Sequence, residues 1–185
     1  MSQSLRVIAG QLGGRRLSAP RGQTTRPTSA RVREALFSIL GPLDGLRVLD
    51  LYAGTGALAI EALSRGAERA VLVEHDRHAL QALRDNIAAL GLDSRAVVVP
   101  TRLPRALTSA LAGRPFELVF CDPPWADLAG ASNVLERLTA AGGLTAEARV
   151  ALEHAARDEA PAVPGLAAVD RRAWGDTCVT LFRVG

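Results

Sequence analysis

Residues 46–56 read LRVLDLYAGTG, and this stretch decides the fold. Leu46, Val48, Leu49 and Leu51 form a short apolar run suited to a central parallel strand covered on both faces. Gly54 and Gly56 then allow backbone to approach a ligand closely. A helix is predicted immediately afterwards: in ALAIEALSRG the residues Leu58, Ala59, Ala62 and Leu63 recur at helical spacing, and Gly66 stands where a left-handed cap would end it. The next predicted strand, RAVLVEHD, carries Glu74, 20 residues beyond Gly54, where a carboxylate can accept hydrogen bonds from ribose hydroxyls.

Strand, glycine turn, helix and strand-end acid together describe a nucleotide-cofactor site that fits two cofactors. Gly54, Gly56 and Ala59 match the dinucleotide fingerprint, with Glu74 as the ribose-binding acid, so NAD stays open. Asp50, four residues before Gly54, favours S-adenosylmethionine, because a carboxylate aimed into the turn suits a cationic amino-acid moiety better than a pyrophosphate. No second phosphate-cradling loop is found, and Arg47 and Arg65 read as solvated positions.

Working outward, strands and helices alternate. After Glu74 a helix is expected from Asp76 to about Leu90, then the strand RAVVV, then a helix over LPRALTSALAG with Pro104 in its first turn, then the apolar strand of FELVFCDPPW. That order predicts a parallel sheet of the α/β class with its site at the strand ends. A helix near Ser132 to Ala141, a strand ARVALEH and an antiparallel edge hairpin, AAVDRRA and CVTLFRV around Trp174-Gly175-Asp176, complete the chain. Trp174 reads either as a contact to nucleic acid or as a small hydrophobic anchor.

On the amino-terminal side, LRVIAGQLGGRRLSA reads as a β-hairpin around Gly13-Gly14, and PRGQTTRP as a polar loop. A helix over SARVREALFSIL follows, with Thr28 as its N-cap, Val32, Ala35, Leu36, Ile39 and Leu40 on its apolar face, and Arg31 and Arg33 off that face. The first 40 residues hold seven Arg against one acid, Glu34, a net +6 that leaves −3 for the rest of a chain of net +3. A basic head on a mildly acidic body is the electrostatic footprint of a nucleic-acid partner. The expected division is a basic hairpin and loop over residues 1–27, serving as an RNA-binding extension, and a cofactor-binding domain over 28–185.

The 185 residues suit one domain, and 48% hydrophobic residues suffice for a sizeable core. With no long apolar run and no signal-peptide pattern in MSQSLRVIAG, a cytoplasmic protein without a membrane partner is expected. Cys121 and Cys178 lack metal-like spacing, as do His78 and His154, so no metal is expected and buried thiols are the simplest reading.

The most specific signal is Asp122-Pro123-Pro124-Trp125 at the end of a buried strand. Two prolines fix φ and supply no N–H, so Asp122 and the neighbouring carbonyls form a rigid cluster of acceptors. Such acceptors suit the exocyclic amine of a base, a poor nucleophile that hydrogen bonds to the Asp122 carboxylate and the Pro123 carbonyl would orient and stabilise as charge develops. Trp125 would stack on the base. Cys121 as a nucleophile for carbon methylation is disfavoured, since strand alternation points it away from the face Asp122 uses.

The chain resembles the RsmD-like, S-adenosylmethionine-dependent 16S rRNA guanine-N2 methyltransferases over nearly its whole length. The resemblance rests on RVIAGQLGGRRLSAP, RPTSARVREALFSIL, DLYAGTGALAIEALSRGA, VEHD and DPPW. It implies a Rossmann-like class I methyltransferase fold with a mostly parallel seven-stranded sheet, helices on both faces and a small amino-terminal extension. It implies that Asp50, Ala53, Gly54, Thr55 and Gly56 hold the methionine part and Glu74 the ribose; by their own positions, His75 next to Glu74 and Arg102 after the third strand are further cofactor candidates. It makes Asp122, Pro123, Pro124 and Trp125 the catalytic motif and Arg26, Arg31 and Arg33 RNA contacts, to which the basic amino-terminal segment adds Arg15 and Arg16, the partner being small-subunit ribosomal RNA within a particle. Three positions depart from the family pattern. Ala30 replaces an acid, Thr101-Arg102 stand where a short Asp or Asn commonly meets the adenine amine, and Trp125 replaces Phe or Tyr. A DNA adenine or cytosine methyltransferase, an NAD-dependent oxidoreductase and a nucleic-acid-binding protein without activity are the competing readings.

Overall fold

The structure is a computed structural model that describes residues 5–20, 29–112 and 115–185. Its centre is a seven-stranded sheet in the order β3-β2-β1-β4-β5-β7-β6. Strands β1 (Arg47–Leu51), β2 (Arg69–Val73), β3 (Ala96–Val99), β4 (Phe116–Cys121) and β5 (Leu144–Ala155) run parallel, and at one edge β7 (Thr177–Val184) pairs antiparallel with both β5 and the outermost strand β6 (Leu166–Trp174). Val48, Leu49 and Leu51 of β1 and Leu118, Val119 and Phe120 of β4 are wholly buried, as strands covered on both faces must be.

Helices α1 (Ala30–Leu40), α2 (Ala57–Ser64) and α3 (Arg77–Ala89) share one apolar core with one face of the sheet. Helices α4 (Ala106–Ala110) and α5 (Leu128–Ala140) share a second core with the other face, so the architecture is the expected doubly covered α/β sheet. Among the described residues no helix is long and apolar enough to cross a membrane.

Several boundaries differ from the sequence reading. Helix α4 starts at Ala106, and Pro104 lies in the preceding turn. Helix α5 starts four residues early, at Leu128, because a 3-10 turn over Trp125–Asp127 feeds directly into it. Helix α1 takes its cap from Ser29, whose Oγ accepts from Val32 N at 3.2 Å; Thr28 lies outside the described residues.

The face of α1 is the main correction. Phe37 is buried against Phe120, with ring centroids 5.6 Å apart, and the Arg65 guanidinium sits over the Phe37 ring, 4.9 Å from its centroid. Centring the face on Phe37 turns Ile39 outward to 39% exposure and carries Arg33, one turn before Phe37, inward to 1%. Arg33 is therefore not available as an RNA contact. Its Nη2 donates to the Arg6 carbonyl at 3.0 Å, burial lowers its pKa, and the charge of Glu61 opposes that shift.

Glu61 ties the amino-terminal segment to this helix layer. Fully buried on α2, its carboxylate accepts from Ile8 N at 2.6 Å, Ala9 N at 3.0 Å and Arg65 Nε at 2.7 Å. The backbone of residues 8–11 bonds α2 instead of its own hairpin partner, so the expected pair of strands reduces to a single bridge, Arg6 to Arg16. Val7 and Leu17 enter the same core as α1 and α2.

Candidate active site

The carboxyl ends of β1, β2 and β4 bring Asp50, Glu74 and Asp122 to one edge of the sheet, because parallel register aligns Leu51 with Val73 and with Cys121. The turn after β1 is built by backbone conformation. Tyr52 adopts φ 64°, rare for a residue with a side chain, and Gly54 and Gly56 follow at 55° and 80°. A Cβ on Gly56 would lie 2.5 Å from Leu83 Cδ1, whereas one on Gly54 would meet nothing within 4 Å. Gly56 is thus needed for the helix α2 to pack on α3, and Gly54 leaves an open cradle of the kind a cofactor occupies.

That difference is measurable. Gly56→Ala is expected to cost about 2–5 kcal/mol of stability from strain and overlap combined. Gly54→Ala is expected to cost only about 1–2 kcal/mol yet weaken cofactor binding. Denaturant unfolding and calorimetry read the two effects, and unchanged cofactor affinity in Gly54→Ala would remove the cradle assignment.

Asp50 is 1% exposed and its Oδ2 accepts from Ala59 N at 3.1 Å. It caps α2 from the strand below, since the N-cap Gly56 has no side chain to do so. Burial chiefly, and the charges of Asp122 and Glu74, raise its pKa to about 8 against the pull of the Ala59 hydrogen bond. Ala53 and Thr55 lie in the turn itself.

Glu74 bridges two turns. Its Oε2 accepts from Gly54 N at 2.9 Å and its Oε1 from His75 N at 2.6 Å and Asp76 N at 2.8 Å. A carboxylate offers about four lone-pair sites, so Oε2 keeps acceptor capacity for a ribose hydroxyl. His75 is exposed with Nδ1 3.6 Å from Glu74 Oε1, and Arg102 is exposed beyond the end of β3. The donor set fits S-adenosylmethionine: an open glycine cradle, a strand-end acceptor at the ribose position and a buried carboxylate beneath the turn.

Across from this turn, Pro123 is buried, Pro124 exposed, and Trp125 is 37% exposed. The Pro124 carbonyl is engaged by Asp127 N at 2.7 Å, whereas among the described residues no donor takes the Pro123 carbonyl. The acceptor beside Asp122 is therefore open, and Trp125 presents its ring to solvent instead of filling the core. Cys121 is 1% exposed, and burial first, then Asp122, Asp50 and Asp127, pushes its thiol well above the ordinary range. It stays protonated and is no nucleophile. His154 is buried and structural, its Nε2 2.9 Å from Thr180 Oγ1, and burial lowers its pKa.

Two residues of this region escaped the sequence reading. Tyr52 carries no signal, because its φ depends on the path of the turn; burial and the neighbouring Cys121 and Asp127 push its phenol up. Asn86, 2% exposed on α3, donates to the Thr55 carbonyl at 3.0 Å and to the Ser18 carbonyl at 3.1 Å, and accepts from Ser18 N at 2.7 Å. It joins the amino-terminal segment to the cofactor turn, and an amide on the buried face of an amphipathic helix was its only signal. Of the five arginines taken as RNA contacts, Arg15, Arg16 and Arg31 are exposed, Arg33 is buried, and Arg26 lies outside the described residues. Arg15 Nη2 donates to the Ala89 carbonyl at 3.2 Å.

The chain is similar to known proteins. The ribosomal RNA small subunit methyltransferase D of Escherichia coli strain K12 is 40% identical over 168 residues, 88% of this chain and 81% of that one. The solved Escherichia coli protein yhhF is 36% identical with a TM-score of 0.82 over 98% of both chains. At 18% identity and a TM-score of 0.63, the precorrin-6y C5,15-methyltransferase of Geobacter metallireducens GS-15 shares the fold over 90% of this chain and 91% of its own. With residues 5–183 matching the model of the family described as conserved hypothetical protein 95, the chain belongs to that family, the RsmD-like proteins, and has the class I methyltransferase fold.

Proposed function

We propose that the protein transfers a methyl group from S-adenosylmethionine to the exocyclic N2 amine of a guanine in small-subunit ribosomal RNA, acting in the cytoplasm. The observation that carries this reading is the placement of the Asp122 carboxylate and the adjoining Pro123 carbonyl at the carboxyl end of β4, next to that of β1 where the glycine cradle begins, with the exposed Trp125 beside them. Bound at that cradle, the cofactor supplies an electrophilic methyl group on a sulfonium. Asp122 and Pro123 accept the two amine N–H groups, orienting the nitrogen lone pair and stabilising the positive charge that develops on it. Trp125 stacks on the base, and Pro124 holds the ring and both acceptors in one rigid turn by closing onto Asp127. Glu74 receives the ribose, with His75 and Arg102 flanking the adenine.

Ribosomal RNA as substrate follows the relative of 40% identity, whose name assigns it that activity. The choice of guanine N2 follows the family resemblance. Residues 1–27 serve in this reading as the RNA-binding extension. Because residues 5–20 cover buried Glu61 and contribute Val7 and Leu17 to the core, the extension's role is tested by substitution instead of deletion. For single-stranded RNA each phosphate contact adds about 0.7 to the slope of log affinity against log salt. Arg15→Ala with Arg16→Ala is expected to reduce that slope by about 1.4. A salt-independent affinity in the unsubstituted protein would rule out this mode of binding.

The activity itself is tested with cofactor labelled in its methyl group, offered with small-subunit particles, free ribosomal RNA or DNA in parallel. Label is expected in RNA and not in DNA. Label in DNA alone would replace the substrate while leaving the site chemistry intact, and binding of NAD instead of S-adenosylmethionine would overturn the cofactor.

A further inference from the structure

The β6–β7 turn lies at the same edge of the sheet as Asp122. Strand β4 is parallel to β5, with Cys121 level with Leu152, and the carboxyl end of β5 meets the start of β7, with Ala155 level with Thr177, which in turn pairs with Trp174. The carboxyl end of β4, the catalytic turn and the hairpin tip therefore face one way. Across the sheet they are separated by three strand spacings, about 14 Å, with the hairpin tip about three residues further along the strand direction than Cys121.

At that tip the amino end of α1 approaches the hairpin and encloses a cleft of about 410 Å³ lined by Ser29, Arg31, Val32, Ala173, Trp174 and Gly175. Trp174 is half-buried, with part of its ring packed on the core that contains Val32, Leu36 and Phe37. Packing fixes the ring while the remainder stays accessible from the cleft. Arg31 is exposed on α1 and lines the same cleft as the tryptophan, and none of the six lining residues is acidic. A fixed indole and a guanidinium across a small, non-acidic cleft match a flat aromatic ring joined to an anion, which is the chemistry of a nucleotide. The cleft volume is in the range of small-ligand sites.

The geometry points to this cleft as a second nucleotide subsite, in which a base flanking the target in single-stranded RNA stacks on Trp174 while Arg31 holds its phosphate. The inference rests on the reading of the protein as an RNA methyltransferase and adds to it how the target is selected. A base is presented at Trp125 only when the strand beside it is unpaired and can reach Trp174. A duplex, whose bases are stacked on one another, leaves the cleft empty. Single-stranded loops and bulges are then the substrate class, in accord with the general mode of sequence-specific RNA recognition.

The chain has two tryptophans, Trp125 and Trp174, so in the full-length Trp125→Phe variant all indole emission comes from Trp174. A single-stranded RNA of about 15 nucleotides and mixed sequence is titrated against it, with binding followed independently by anisotropy of a terminal dye. Quenching of Trp174 emission with the same midpoint as the anisotropy is expected. Trp174→Ala is expected to weaken RNA binding about 5- to 150-fold, the factor for losing one stacked base, while cofactor affinity is unchanged and Trp174→Phe restores most of the RNA affinity. Arg31→Gln is expected to lower the salt slope by about 0.7. If the RNA binds and Trp174 emission does not change, or if Trp174→Ala binds RNA as tightly as the unsubstituted protein, the subsite is overturned. Methyl transfer to RNA by the unsubstituted protein is measured alongside. Its absence overturns the functional reading and the subsite together, whereas transfer with unchanged Trp174 emission overturns the subsite alone.

Discussion

Asp122→Ala is expected to lower kcat about 100- to 1000-fold while changing S-adenosylmethionine affinity by no more than about threefold. The split follows from where the residue stands. Asp122 lies on the turn after β4, across from the cradle formed by Gly54 and held by Glu74, so the cofactor keeps its own hydrogen-bonding partners when the carboxylate is removed. The reacting amine loses an acceptor that orients it and bears its developing charge, interactions that matter most in the transition state. Asp122→Asn tests the charge with little change of shape. It is expected to fall almost as far, because its amide turns a donor toward a donor. Single-turnover rates and calorimetric affinities give both quantities, and equal losses in each would place Asp122 in cofactor binding.

Asp50→Asn is expected to stabilise the cofactor-free protein and weaken cofactor binding, each in a pH-dependent way. The Asp50 carboxyl is raised to about 8, first by burial and then by Asp122 and Glu74. A raised acid holds its proton more tightly folded than unfolded. The stability it contributes is present in full below the ordinary value near 3.9 and is lost as pH rises through about 8. From pH 5 to pH 9 the cofactor-free protein is therefore expected to lose several kcal/mol, or roughly 10 °C in Tm, and Asp50→Asn to flatten that decline. Cofactor binding runs the other way. The ionised carboxylate beneath the turn attracts the cationic ligand, so affinity rises with pH up to about 8 and proton release accompanies binding. Asp50→Asn is expected to bind at least about tenfold more weakly at pH 9 and nearly normally at pH 6, where the native carboxyl is already neutral. Affinity independent of pH in the unsubstituted protein would contradict the assignment.

The parts of the fold that were legible share a physical feature: their signals are local. Strand β1 is a short apolar run, its glycines mark the turn, and Asp76 caps α3 through His78 N and Ala79 N, as an acid just before a helical repeat should. Alternation of strands and helices along the chain marks a mostly parallel sheet, so that too could be read, whereas the order of the strands within it could not. What escaped depends on partners distant in sequence. Val32, Ala35, Leu36, Ile39 and Leu40 form a plausible stripe on α1, but Phe120, from β4, sets the true face by accepting Phe37, and Arg33 turns inward with it. Glu61 looks like a polar residue on an exposed helix, yet it is buried because the backbone of Ile8 and Ala9 needs an acceptor. At the site, the acceptor character of Asp122 and Pro123 could be read from two prolines. That Pro124 spends its carbonyl on Asp127 while Pro123 keeps its own could not, since it depends on the 3-10 turn that follows. Asp50 was read as a partner for the cofactor's charge, and its second task, capping α2, emerged only with the helix in place.

The central claim is that Asp122, Pro123 and Trp125 present an exocyclic amine for methylation, and the identity of the product tests it most directly. Small-subunit RNA methylated by the protein is digested to nucleosides and resolved by mass spectrometry against standards. N2-methylguanosine is the result expected here. N6-methyladenosine would keep the acceptor chemistry and discard the guanine. 5-Methylcytidine would contradict the account outright, because methylation at that carbon requires a covalent nucleophile, and Cys121 is buried, which pushes its thiol up and away from the reactive thiolate.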